Sequence, residues 1–240
     1  MPTPNSARDR LIVALDFPSA DLALQQVDKL EGQCQWFKVG LELYLAAGGS
    51  IVTCLRKRGF NIFLDLKLHD IPNTVASAVR SVSSLGASLL TIHADGGSAM
   101  LSAAAEAAAS TSEAPRLLAV TVLTSMDAAQ LHGIGVPDSP ATQVLRLGKL
   151  ASSAGIDGFV CSPEEIMQLR AVLPRNPLLV VPGIRPAGTA AGDQRRIATP
   201  ATAIAAGASM LVVGRPITRS DNPAKAAEAI LAEMTAAIAS

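Results

Sequence analysis

The sequence predicts an α/β fold, a (β/α)8 or TIM barrel, formed by a single domain. Eight short apolar runs recur along the 240 residues at about the spacing of one strand and one helix. Helical patterns separate these runs, which predicts parallel strands covered on both faces. Eight such units fit a barrel better than an open doubly wound sheet, since the open fold commonly has fewer strands and a glycine-rich first turn. No GxGxxG pattern follows the first run.

The predicted strands are rich in β-branched and other large apolar residues. In chain order they are LIVALD (11–16), WFKVG (36–40), NIFLDLK (61–67), SLLTIHA (88–94), LLAVTVLT (117–124), GFVCS (158–162), LLVVPG (178–183) and MLVVGR (210–215). Helical periodicity between them is clearest at 20–30, 51–59, 74–86 and 98–110. Gly59 and Gly86 end two of these segments, where glycine C-caps are expected.

The two ends of the chain carry different signals. A closing helix is predicted from Asp221, because Asp or Asn can cap it and Pro223 suits its first turn. No linker or charge run divides the chain, so we expect one domain over residues 1–240, with residues 1–9 as a flexible N-terminal segment. That opening lacks the apolar core of a secretory signal, and no apolar run reaches the ~18 residues that a membrane helix needs. We therefore expect a cytoplasmic protein.

Composition excludes several classes of partner. Twenty basic and twenty acidic residues give a formal net charge of zero, which indicates neither a nucleic-acid partner nor an anionic membrane and favours a small-molecule ligand. Three cysteines, Cys34, Cys54 and Cys161, are too few and too widely spaced for a disulfide framework or a zinc site. The three histidines form no HExxH pattern, so we interpret them as structural and expect no metal.

The stretch FLDLKLHDIPNT (63–74) carries the strongest chemical signal. Side chains alternate along a strand, so Asp65 and Lys67 share a face, opposite to the leucines around them. By themselves they could be a solvated salt bridge on an exposed strand. Most other predicted strands also end in polar or glycine residues: Asp16, Lys38, His93, Thr124, Ser125, Ser162, Gly183, Gly214 and Arg215. In a barrel these ends meet on the rim where such enzymes place their chemistry, which favours a functional pair.

A phosphate site is predicted at the ends of the seventh and eighth strands. PGIRPAGTAAGDQRR (182–196) follows the seventh strand, and GRP (214–216) follows the eighth. Loops at these positions of a barrel often bind phosphate, because glycine lets backbone amides approach the anion. Gly214 and Arg215 are the candidate ligands. Arg195 and Arg196 are interpreted as solvated, and the small-residue loop 186–193 as a lid.

Together these motifs resemble one known family. FLDLKLHDIPNT, KVG (38–40), VTVLTS (120–125), PGIRP with GDQRR, and VVGRP (212–216) are similar to orotidine 5′-phosphate decarboxylase of the bacterial type. The similarity extends from ALD (14–16) to the last strand. It implies a (β/α)8 barrel that works as a homodimer and converts orotidine 5′-monophosphate to UMP in pyrimidine biosynthesis. It also implies that neither a cofactor nor a metal takes part.

The resemblance assigns roles residue by residue. Lys67 would donate a proton to C6 of the pyrimidine, Asp65 would lie beside the departing carboxylate, and Lys38 would join them in a row of alternating charges. Asp70 would complete the row from the partner subunit, together with Thr74. The other substrate contacts implied are Asp16 to the ribose, Thr124 and Ser125 to the base, and Gln194, Gly214 and Arg215 to the phosphate, with Pro182 and Arg185 also among the substrate contacts.

Three alternatives remain at this point. The Asp-x-Lys-x-x-Asp pattern at 65–70 also resembles magnesium-dependent keto-sugar-phosphate decarboxylases and aldol-type synthases. Those place an acidic metal ligand at the end of the second strand, where Lys38 stands here. A Schiff-base lyase would need Lys67 as a neutral amine, which neighbouring carboxylates oppose. A non-catalytic nucleotide binder would need no charged row.

Overall fold

Eight parallel strands close into a barrel in chain order, and β8 pairs with β1. The computed structural model describes residues 6–174, 176–186 and 196–239. The strands are β1 (Leu11–Ala14), β2 (Trp36–Gly40), β3 (Asn61–Leu68), β4 (Leu89–His93), β5 (Arg116–Val120), β6 (Gly158–Val160), β7 (Leu178–Val181) and β8 (Met210–Val213). The predicted (β/α)8 barrel is therefore confirmed.

Helices connect the strands on the outside of the barrel. They are α1 (Ala7–Arg10), α2 (Ala20–Lys29), α3 (Leu41–Ala47), α4 (Gly49–Lys57), α5 (Pro72–Ser83), α6 (Gly97–Ala109), α7 (Ala128–Gly133), α8 (Pro140–Ser153), α9 (Ile166–Val172), α10 (Pro200–Ala205), α11 (Arg215–Thr218) and α12 (Pro223–Ala239). Two 3₁₀ turns, Ala94–Gly96 and Pro163–Glu165, follow β4 and β6. Within the described residues, no helix is both long and apolar enough to cross a membrane.

Two apolar layers hold the strands in place. The interior of the barrel is filled by alternate strand residues: Ile12, Ala14, Trp36, Phe63, Leu89, Leu118, Leu178, Val180, Met210 and Val212. A larger layer, which includes Leu11, Val13 and Phe37, lies between the strands and the helices. Because both strand faces are buried, the strands read as continuous apolar runs. Each large side chain removed from water stabilises the fold by about 1.5–3 kcal/mol, so the barrel is a rigid support for its rim.

The described residues nearest the two chain ends form helices. Asn222 caps α12, since its Oδ1 accepts a hydrogen bond from Lys225 N at 3.0 Å, and this confirms the predicted start of the closing helix. The segment 1–9, expected to be flexible, is helical from Ala7, because Ser6 and Asp9 form a capping box and Ala7 is buried. Residues 1–5 of that segment lie outside the described residues.

Several strands end earlier than their apolar runs. β5 ends at Val120 and β6 at Val160, whereas the patterns predict 124 and 162. Beyond the last pairing the chain remains apolar and buried at Val122 and Cys161, which explains why the pattern extends too far. These unpaired extensions form part of the wall of a cavity at the carboxyl-terminal rim.

Candidate active site

A cavity of about 250 Å³ opens at the carboxyl-terminal ends of the strands. Apolar residues such as Phe63, Val120, Val160 and Val212 form part of its wall. The polar and glycine residues that line it are Asp16, Lys38, Asp65, Lys67, Thr124, Gly183, Arg185, Gly214 and Arg215. This is the face on which TIM barrels place their chemistry. The structure thus brings most of the sequence-predicted site residues into one cavity.

Four of these side chains form a row of alternating charge, which we call the open network: Asp16, Lys38, Asp65 and Lys67. Lys38 Nζ lies 2.9 Å from Asp16 Oδ1 and 3.7 Å from Asp65 Oδ2. Lys67 Nζ lies 2.8 Å from Asp65 Oδ1. Asp65 therefore lies between two cations, and the prediction that Asp65 and Lys67 share one side of β3 agrees with their contact.

The backbone of β3 is irregular at Lys67. Lys67 has a φ of 51°, which is uncommon for a residue other than glycine, and the register against β4 shifts between Leu64 and Leu68. Thr91 of β4 stabilises this segment, since its Oγ1 accepts a hydrogen bond from Lys67 N at 2.9 Å and donates one to Asp65 Oδ1 at 3.0 Å. The irregularity aims the Lys67 side chain back at Asp65. Sequence reasoning missed Thr91, although its place two residues before His93 puts it on the same strand face.

Gly40 makes room for Lys38. A Cβ at position 40 would lie 2.7 Å from Lys38 Nζ and 3.3 Å from Asp16 Oδ1, which is too close for the ion pair to keep its geometry. The glycine in the KVG motif is therefore a packing requirement of the open network. Its position two residues after Lys38, on the same strand, is the sequence signal that could have identified it.

The charge state of Asp65 follows from its neighbours. Burial alone would raise the pKa of this carboxyl, because desolvation disfavours the charged form. The positive charges of Lys38 and Lys67, and hydrogen bonds from Lys67 and Thr91, outweigh burial, so the pKa of Asp65 lies below its ordinary value. Asp65 is therefore ionised at neutral pH. An ionised Asp65 holds the two ammonium groups in place inside the cavity.

The part of the cavity wall that follows β7 and β8 is suited to an anion. Pro182, Gly183 and Arg185 follow β7, and Gly214 and Arg215 join β8 to α11. Arg185 is buried and donates to the carbonyl of Ile184 at 2.8 Å. Two arginines, Arg185 and Arg215, thus line the wall that follows the last two strands, as the predicted phosphate site requires.

Some predicted site residues lie elsewhere. Asp70 and Thr74 are exposed and do not line the cavity of their own chain, and Ser125 is also exposed and outside its lining. Gln194 and most of the predicted lid 186–193 lie outside the described residues.

Arg196 and Ser162 require a corrected interpretation. Arg196, expected to be solvated, is only 7% exposed and forms an ion pair with the buried carboxylate of Glu165. Ser162, expected on the functional rim, donates to Glu165 through its hydroxyl and its backbone N–H. Arg196 also donates to the Leu123 carbonyl at 3.0 Å. We call this group the closed network: Ser162, Glu165 and Arg196.

The sequence is similar to known proteins over nearly its whole length. The family model described as "Orotidine 5'-phosphate decarboxylase / HUMPS family" matches residues 9–230. The chain is 53% identical over 228 residues to orotidine 5′-phosphate decarboxylase of Halorhodospira halophila, covering 95% of this chain and 97% of the relative. It is 52% identical over 224 residues to the protein of that name from Opitutus terrae, covering 93% and 97%.

A solved structure of a protein with the same name as these relatives has a similar fold. The crystal structure of orotidine 5′-phosphate decarboxylase from Lactobacillus acidophilus superposes with a TM-score of 0.82 at 40% identity, covering 94% of this chain and 98% of that one. The chain belongs to the orotidine 5′-phosphate decarboxylase / HUMPS family. This membership confirms the family resemblance that the sequence motifs predict. The matched range, 9–230, contains every residue of the open network.

Proposed function

We propose that the chain decarboxylates orotidine 5′-monophosphate to UMP in pyrimidine biosynthesis, acts in the cytoplasm, and uses no cofactor. The observation that carries this proposal is the open network, which holds a lysine ammonium next to a carboxylate inside a cavity on the barrel rim. The names of relatives that are about half identical to the chain over nearly all its length support the choice of substrate.

The chemistry requires a fixed positive charge. When the bond between C6 and the carboxylate breaks, its electron pair stays on a ring carbon that has no adjacent carbonyl to delocalise it. A preorganised ammonium group stabilises such localised charge more in a water-poor site than in bulk solvent. Lys67 Nζ then donates a proton to C6, so a C–H bond replaces the bond to CO2, and water restores the proton to Lys67. Lys67 is therefore the proposed catalytic cation and proton donor.

The neighbours of Lys67 fix the position of its ammonium group. Asp65 Oδ1 accepts hydrogen bonds from Lys67 Nζ at 2.8 Å and from Thr91 Oγ1 at 3.0 Å, and Lys38 Nζ lies 3.7 Å from Asp65 Oδ2. Side chains locked in this way lose little freedom when the substrate binds. In the proposed complex, Asp65 lies beside the departing carboxylate.

Remote contacts would fix the substrate across the cavity. Asp16 has a largely exposed carboxylate that can accept a hydrogen bond from a ribose hydroxyl while it remains paired with Lys38. Thr124 and Ser125 are assigned to the base, Gln194, Gly214 and Arg215 to the phosphate, and Pro182 and Arg185 to the substrate without a more specific role. Binding energy from a distant phosphate can be used to orient the reacting carbon, so these contacts should affect turnover as well as affinity.

A second copy of the chain would complete the site. Asp70 and Thr74 are exposed around the start of α5, on either side of Ile71, an apolar residue that is 67% exposed. We assign this surface to a homodimer in which Asp70 and Thr74 reach the cavity of the partner. An acidic group added there would extend the alternating row beyond Lys67.

The magnesium-dependent alternative is not favoured. It requires an acidic metal ligand at the end of β2, where Lys38 stands, and the ammonium of Lys38 lies between Asp16 and Asp65. A cation at this point opposes a divalent ion, which prefers free carboxylate oxygens.

An assay of the purified chain tests the proposal. We expect decarboxylation of orotidine 5′-monophosphate, followed by the change in ultraviolet absorbance, to proceed at the same rate in EDTA as in buffer with added Mg²⁺. Loss of all activity in EDTA with recovery on adding Mg²⁺ would support the metal-dependent alternative instead.

A further inference from the structure

Three metal-binding side chains that the proposed reaction does not use meet at the ends of β3 and β4. His69 follows the last residue of β3, His93 ends β4, and Asp95 lies in the 3₁₀ turn that follows. Parallel neighbouring strands bring their carboxyl ends side by side, so residues distant in sequence become neighbours here. None of the three lines the cavity.

Their potential ligand atoms converge on one point. Asp95 Oδ1 lies 3.3 Å from His93 Nδ1 and 4.0 Å from His69 Nδ1. The imidazole rings stack with centroids 5.4 Å apart and planes inclined by 30°. All three ligand atoms lie within 4.8 Å of one another. Both rings therefore direct Nδ1 toward the same carboxylate oxygen.

One of these three ligand atoms lacks a well-formed hydrogen bond among the described residues. His93 Nδ1 is buried, and its near polar neighbour among the described residues is Asp95 Oδ1 at 3.3 Å, a contact without hydrogen-bond geometry. A buried ring nitrogen that is poorly satisfied in this way is costly, and a bound cation would satisfy both it and the carboxylate. Two imidazole nitrogens and one carboxylate oxygen form a donor set that suits zinc-type ions and suits Mg²⁺ and Ca²⁺ poorly.

We propose that His69, His93 and Asp95 bind one divalent first-row transition ion, of the zinc and cobalt class, with water in the fourth position. Tetrahedral coordination at about 2.0–2.2 Å places ligand atoms roughly 3.3–3.5 Å apart. The pair of His93 and Asp95 already has this spacing. His69 has to move by only about 1.5 Å or less for the same spacing, and its side chain is about half exposed at a strand end. This site is separate from the proposed decarboxylation, which uses no metal.

Metal titration of the untagged, EDTA-treated and dialysed chain tests the proposal. We expect one equivalent of Co²⁺ to give visible absorption bands typical of tetrahedral coordination, and Zn²⁺ to displace it. His93→Gln and Asp95→Asn should each weaken binding by roughly tenfold or more. His69→Gln should do the same, and because His69 is exposed, this variant keeps the test valid if a buried substitution unfolds the protein.

The controls use other potential ligands in the chain. His132 lies on α7, with its Nε2 near the Pro137 carbonyl, and His132→Gln should leave Co²⁺ binding unchanged. Three results would overturn the proposal: no binding at micromolar Co²⁺, equal binding by wild type and His93→Gln, or near-ultraviolet bands typical of thiolate coordination that vanish in Cys54→Ser.

Discussion

The open and closed networks lie on the same rim of one barrel, yet their charged side chains differ in exposure to solvent. In the closed network, Glu165 is 2% exposed and its carboxylate is held by Ser162 and Arg196. Arg196 donates to Glu165 and to the Leu123 carbonyl, while its buried Nε has no hydrogen-bond partner among the described residues. In the open network, the side chains of Asp16 and Lys67 are 59% and 30% exposed.

This difference separates structural charges from charges that can act on a ligand. The closed network joins the segments that follow β5, β6 and β7, and it presents no group to the cavity. The open network has a rigid centre at Asp65 and exposed ends that face the cavity. In the open network, we infer that the chain's own residues supply the charge partners of the central Asp65. The substrate and a second subunit supply the partners of the exposed groups at its two ends.

Removal of Lys67 should produce the largest effect. Lys67→Ala removes the group proposed as both stabilising cation and proton donor, so turnover of orotidine 5′-monophosphate should fall by about 10⁴-fold or more. Binding of UMP, measured by calorimetry, should persist, because the proposed phosphate contacts remain. Lys57→Ala, an exposed lysine on α4, is the control and should match wild type. Turnover by Lys67→Ala near the wild-type rate would remove Lys67 from its role.

Removal of the charge on Glu165 should affect stability more than turnover. Glu165→Gln leaves Arg196 buried without its counter-charge, and the free energy of unfolding should fall by about 3–5 kcal/mol. Turnover should fall far less than in Lys67→Ala. Glu164→Gln is a matched control, since Glu164 is adjacent and exposed, and its effect should stay within about 0.5 kcal/mol. Equal stability of the two variants in urea unfolding would show that the closed network is not structural.

Asp65 should give a smaller, pH-dependent change in stability. Asp65→Asn loses hydrogen bonds from a charged partner, which should lower the free energy of unfolding by roughly 1.5–3 kcal/mol at neutral pH. The pKa of Asp65 lies below the ordinary 3.8, so its stabilising contribution is complete above that value and disappears as the pH falls through the lowered pKa. Urea unfolding from neutral pH into acid should show wild type and Asp65→Asn converging. A gap that widens in acid would contradict this.

Local patterns predicted the fold and much of the site. WFKVG (36–40) matches β2, and the start of α12 follows from its cap. Patterns failed where distant residues meet. Thr91 holds Asp65 across 26 positions, Arg196 meets Glu165 across 31, and the left-handed φ of Lys67 depends on β4. A single sequence does not reveal which distant polar groups pair. A buried, ion-paired arginine such as Arg196 therefore cannot be distinguished in the sequence from an arginine exposed to solvent.

The most direct test of the central claim mixes two inactive variants. If Lys67 and Asp70 from different chains form one catalytic row, Lys67→Ala and Asp70→Ala should each be inactive alone. Mixed under conditions that exchange subunits, they should recover about a quarter of the wild-type sites, because half of the dimers are hybrids with one intact site each. No recovery of orotidine 5′-monophosphate turnover, with hybrid dimers confirmed by native mass spectrometry, would contradict the shared row.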